Sequence, residues 1–105
     1  MAGIILFCVQ LESNYFFSKY IKYNNGYYII TNYVIPEEKI NTLIGKTQKN
    51  IKINIYSNIL SSNTPIYQIQ GERIEKPKAI AYLSNNQYKL AILHGEPIYI
   101  SKYIE

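Results

Sequence analysis

Asn25-Gly26 lies inside KYIKYNNGYYIITNY, residues 19–33, between two runs rich in tyrosine and isoleucine. A two-residue hairpin turn needs positive φ at its centre, and Asn-Gly tolerates that conformation better than almost any other pair. Tyrosine and isoleucine on either side fit a pleated, half-buried strand and are weak helix formers. The stretch therefore predicts an antiparallel hairpin, with Tyr23 opposite Tyr28, Ile21 opposite Ile30 and Lys19 opposite Asn32. A helix over residues 13–24 with Gly26 beyond its end is the rival reading, and the residue types favour the strand.

The same logic runs along the chain. GIILFCVQL, residues 3–11, reads as a mostly apolar strand buried on both faces. NIKINIY, residues 50–56, alternates Ile51, Ile53 and Ile55 with Asn50, Lys52, Asn54 and Tyr56, which predicts one packed and one wet face. SNILSSNTP reads as a loop, IYQIQ as a short strand, and GERIEKPK as a charged turn. AIAYL and YKLAIL flank Asn85-Asn86, and an HGEP turn leads into IYISKYI, so the C-terminal part predicts an antiparallel meander. The one predicted helix is IPEEKINTLIG, around residues 36–45. Pro36 suits its first turn, Glu37 and Glu38 its positive end, Ile40, Leu43 and Ile44 its apolar stripe, and Gly45 its close.

The predicted class is therefore α+β and predominantly antiparallel β, a sheet or small OB-like barrel plus a C-terminal meander, in a single domain spanning residues 1–105. Three strands, a helix and a further strand are similar in order to an OB-type barrel, an architecture that often binds single strands.

Composition bears on function mainly by exclusion. Twenty Ile, twelve Tyr, eleven Asn and ten Lys make up about half of the 105 residues. All four can be encoded by codons of A and T alone, so an AT-rich genome is the simplest cause, and raw counts of tyrosine or lysine carry little weight. All seven acids are Glu. With no aspartate, an Asp-containing triad or an Asp-rich calcium loop is excluded. Cys8 is the single cysteine and falls in the apolar run AGIILFCV, where a buried small hydrophobe is the expected role; neither an internal disulfide nor a thiolate zinc cluster can form. That run lacks a basic start and a small-residue cleavage site, and no apolar stretch reaches the ~18 residues of a bilayer span. The expectation is a soluble intracellular protein without membrane association, metal or cofactor.

Charge is uneven. Residues 13–71 carry six lysines against Glu37 and Glu38 alone, whereas residues 72–105 carry five bases against four acids. Positive potential beside flat rings suits a single-stranded nucleic acid, because lysines neutralise phosphates while rings stack on bases. The first reading is a non-enzymatic module for single-stranded or structured nucleic acid, its face formed by Lys19, Tyr20, Lys22 and Tyr23 on the hairpin with Lys46, Lys49, Lys52 and Tyr56 from the helix end through the following strand. A single arginine argues against base reading by bidentate bonds, so backbone charge and stacking would dominate. The competing account is that these lysines only solvate a sheet face and blunt its edges.

Two other readings belong to different classes. Twelve tyrosines cannot all be buried in so small a domain, and exposed tyrosine suits a protein partner or a second copy of the chain equally well. Short length and AT bias would fit a viral or mobile-element protein that acts by binding, for example by inhibiting a host factor. A metal-independent ribonuclease could use His94, the only histidine, near Glu96. IGKTQ, residues 44–48, is not a phosphate-binding P-loop, because the glycine required five residues before Gly45 is Ile40 and the order of elements is wrong.

Overall fold

The computed structural model describes residues 19–49, 55–95 and 97–104. The strand expected at residues 3–11 with Cys8, most of the strand expected at 50–56 with Lys52, and Glu96 lie outside the described residues. The fold is predominantly antiparallel β with one short helix. Its strands are β1 (Tyr20–Tyr23), β2 (Gly26–Ile35), β3 (Ile40–Lys46), β4 (Ile55–Ser57), β5 (Pro65–Ile69), β6 (Ala79–Ser84) and β7 (Gln87–Leu93), followed by α1 (Ser101–Ile104). They form one sheet in the order β3-β5-β6-β7-β2-β1-β4, in which β6 and β7 are the first two strands of the predicted meander and β5 is the short strand expected at IYQIQ.

The sheet curls into a half-barrel and brings its two edges together at one corner. Gln48, just after β3, donates its N–H to the Ile55 carbonyl at 3.0 Å and forms a lone parallel bridge with Tyr56. Thr47 fixes the corner. It is fully buried, its hydroxyl donates to the Ser61 carbonyl at 2.8 Å, and its backbone bonds Asn63 and Thr64. The threonine of IGKTQ is thus a structural clamp.

The sheet is packed on both sides. Ile21, Tyr23, Tyr28, Ile55, Ile66, Ile80, Tyr82, Ala91 and Leu93 fill the inside of the curl. Ile35, Ile69, Ala79, Ala81, Leu90 and Ile92 form the other face, covered by Ile98, Ile100 and Tyr103. Alternation therefore sends neighbours on β6 and β7 into different cores, which is why AIAYL and LAIL read as continuous apolar runs. The alanines Ala79 and Ala81 leave room for the C-terminal segment to lie close. Among the described residues no helix is long and apolar enough to cross a membrane.

Three local expectations change. The hairpin forms, but its turn is Asn24-Asn25, both at positive φ (49° and 66°), with Tyr23 paired to Gly26 and Ile21 to Tyr28. Gly26 is needed inside the strand: a Cβ there would stand 3.0 Å from a Leu93 methyl and 3.2 Å from the Tyr28 ring. The helix around residues 36–45 is absent. Glu37–Lys39 makes one 3₁₀ turn, and Ile40 already has extended backbone (φ −85°, ψ 135°) at the start of β3. Ile40 and Thr42 are β-branched and favour a strand, Asn41 is a weak helix former, and the edge of β5 offers a ladder, so pairing overrides the helical stripe. Gly45 lets the sheet edges meet, since a Cβ would lie 2.7 Å from the Ile55 side chain. The last change is in IYISKYI, which is not a strand. Ile98 and Ile100 pack down, and then a single helical turn carries Tyr103 back onto the sheet.

Candidate nucleic-acid interface

The ladders of β1 decide which predicted residues meet. Lys22 is paired with Tyr27 on β2 and with Tyr56 on β4, so these three side chains share a face. Tyr20, two residues along β1, packs edge-on against Tyr27 with centroids 5.2 Å apart and lies 6.1 Å from Tyr56. All four are half-buried, with part of each side chain open to solvent. The result is a cluster of three rings, built from three strands, with Lys22 on the same face between Tyr27 and Tyr56. Burial, with the neighbouring Tyr56 and Tyr27 phenols, holds the Tyr20 hydroxyl above its ordinary pKa.

Other predicted members stand apart. Tyr23 is withdrawn from the face: it is 5% exposed inside the curl, and its hydroxyl donates to the Ile74 carbonyl at 2.6 Å. Alternation along β1 is the reason, since Tyr20 and Lys22 share one side of the strand while Ile21 and Tyr23 share the other. Lys19 is exposed just before β1. Lys46 is exposed on β3, at the far end of the strand order, although the Gln48–Tyr56 bridge draws that corner toward β4. Lys49 is exposed with its amine bonded to the Leu60 carbonyl at 2.5 Å.

Tyr27 is the member that sequence reasoning missed. The one-residue shift of the turn, from Asn25-Gly26 to Asn24-Asn25, takes it from beside Asn24 to directly opposite Lys22. Reading NNG as two asparagines at positive φ, with glycine in the strand, would have found it. His94 is exposed just beyond β7, and its backbone N–H donates to the Tyr27 carbonyl at 2.8 Å, so the ribonuclease candidate borders the same cluster. Among the described residues no three His, Cys, Asp or Glu side chains converge as metal ligands.

No protein-family model, curated protein sequence or solved structure matches this chain.

Proposed function

We propose that the protein is a non-enzymatic binder of single-stranded nucleic acid, using Tyr20, Tyr27 and Tyr56 to stack on bases and Lys22 to meet a phosphate. The observation that carries this reading is the strand register that sets Lys22 between Tyr27 and Tyr56, with the Tyr20 ring near both tyrosines. Base–aromatic stacking contributes ~1–3 kcal/mol per base and tolerates any sequence, which fits a face with no arginine. With one lysine among the rings and Lys19 at the strand's start, few phosphates are engaged. Stacking then outweighs charge. The salt dependence is correspondingly shallow, with log K falling by about 0.7 per log unit of salt for each phosphate neutralised on a single strand.

Fluorescence anisotropy with a labelled single-stranded oligonucleotide at low salt tests this. Saturable binding is expected, much weaker for duplex of the same sequence, whose stacked bases the rings cannot reach. Tyr56→Ala should weaken it by about fivefold to a hundredfold. Absence of binding, or binding indifferent to Tyr20→Ala and Tyr56→Ala, would remove the proposal. A stoichiometric, nuclease-resistant protein partner recovered through the same tyrosines would put a protein interface in its place.

A further inference from the structure

The connection between β5 and β6, residues 70–78, has no regular structure, yet it is held from several sides. Glu72 donates its N–H to the Ile69 carbonyl at 3.1 Å, and its own carbonyl accepts from the Gln68 amide at 2.6 Å. Tyr23 and Tyr28 donate their hydroxyls to the carbonyls of Ile74 and Pro77 at 2.6 and 2.7 Å, and the Asn24 amide bonds the Glu75 carbonyl. Leu93 donates its N–H to the Lys78 carbonyl at 2.9 Å.

The side chain of Glu72 turns inward and is only 5% exposed. One carboxylate oxygen accepts the Lys78 N–H at 2.8 Å; the other accepts the Tyr103 hydroxyl at 2.7 Å and the Lys102 amine at 3.4 Å. A buried carboxylate with both oxygens occupied is a fastener joining the loop to α1. Burial and this carboxylate together hold the Tyr103 phenol far above its ordinary pKa, so the hydroxyl remains a donor.

Outward, the fastened loop presents cations. Gly71, Glu72, Arg73, Lys76, Lys78 and Lys102 line a cleft of about 300 Å³. Arg73, the only arginine, and the three lysines are all exposed. Among the described residues the only lining acid is Glu72, whose oxygens are already hydrogen-bonded. Glu75, the other acid of the loop, does not line the cleft and bears on the Tyr23 phenol instead. Four cations against the one Glu72 carboxylate, which pairs with Lys102, leave a net positive cleft (4 − 1 = +3) that favours a multiply charged anion, and the pre-set backbone needs little ordering when one binds.

We propose that this cleft is a phosphate-binding site. Arg73 supplies the planar fork that grips two oxygens of a phosphate monoester, and Lys76, Lys78 and Lys102 neutralise its remaining charge. The group could be the terminal phosphate of a nucleic-acid strand or that of a free mononucleotide. The site goes beyond the tyrosine face and stands whether or not that face binds a strand.

NMR titration of the protein with inorganic phosphate tests it, with sodium chloride at matched ionic strength as the control. Saturable shifts are expected at the amides of residues 71–78 and Lys102 with phosphate and not with chloride. Arg73→Gln combined with Lys76→Gln should weaken phosphate binding by at least about tenfold, because two charge-assisted contacts are lost. Neither side chain is among those that pin the loop, so an unchanged spectrum elsewhere will show that the variant folds. Lys89→Gln, on β7 and outside the cleft, should leave the phosphate affinity unchanged. Tighter binding of a 5′-phosphorylated than of a 5′-hydroxyl oligonucleotide would assign the group to a strand end, and competition by a mononucleotide alone would assign it to a free ligand. Shifts equal to those of chloride, or a double variant that binds phosphate as well as the parent, would overturn the site.

Discussion

The tyrosines on the two sides of the sheet do different work. Inside the curl, Tyr23, Tyr28 and Tyr82 are nearly or fully buried, and each gives its hydroxyl to a backbone carbonyl: Ile74, Pro77 and Thr31 in turn. On the outer side of β1, β2 and β4, Tyr20, Tyr27 and Tyr56 are half-exposed and meet one another through their rings. The inner set shows how a domain rich in tyrosine can bury it: two carbonyls of the 70–78 loop and that of Thr31, where the β2–β7 register shifts, take the phenols. The outer side chains stay partly in solvent, with Tyr20 also hydrogen-bonded to Tyr56. That contrast is what makes the outer rings available for stacking, and it can be broken experimentally.

The largest effect should come from Tyr28→Ala. Emptying a fully buried ring position is expected to cost about 3–5 kcal/mol in urea denaturation, against under about 1 kcal/mol for Tyr56→Ala on the outer face. Tyr28→Phe keeps the ring and orphans the Pro77 carbonyl, for an expected loss of about 1–3 kcal/mol, while Tyr20→Phe should change stability by less than about 0.5 kcal/mol. Equal losses for the two phenylalanine variants would erase the distinction. Gly26→Ala probes the same inner side by packing alone. Its Cβ must displace Leu93 or the Tyr28 ring, and about 1–3 kcal/mol of destabilisation is expected.

Alkaline titration sharpens the comparison further. Burial pushes the Tyr82 phenol up to about 12 and raises Tyr28 and Tyr103 as well. An unfolded chain releases these protons near pH 10, about where free tyrosine titrates, while the folded protein still holds them. Their contribution to stability is therefore complete below about pH 10 and is lost as pH climbs through the folded values, at up to about 1.4 kcal/mol per pH unit for each phenol. Thermal melts that keep the same midpoint from neutral pH to pH ~11 would contradict this. The smallest effect belongs to Lys22→Gln, which should reduce the salt slope of oligonucleotide binding by about 0.7 and barely alter stability.

Much of the fold was legible in residue types. The β1–β2 hairpin, the short strand β5 and the β6–β7 hairpin about Asn85-Asn86 follow from strand-forming residue types and turn asparagines, whereas the third meander strand expected at IYISKYI does not form. The helix at 36–45 was not legible as false, because Ile40, Leu43 and Ile44 fit a helical stripe as well as a strand, and only the vacant edge of β5 decides between them. Among the site residues, Lys22 and Tyr56 could be placed on wet faces by local pattern, but register determines that they adjoin. A turn shifted by one residue brought in Tyr27 and lay beyond the reach of pattern alone. Charge counts by segment misled in another way. Residues 72–105 are close to neutral in sum, yet folding turns Glu72 inward and leaves Arg73, Lys76, Lys78 and Lys102 around one cleft.

Ultraviolet cross-linking of a bound single-stranded oligonucleotide, followed by mass-spectrometric mapping of the modified residues, is the most direct test of the tyrosine face. The account predicts adducts on Tyr20, Tyr27 or Tyr56 and none on Tyr28, Tyr82 or Tyr103. Adducts confined to other segments, or spread evenly over every exposed tyrosine including Tyr99, would contradict it.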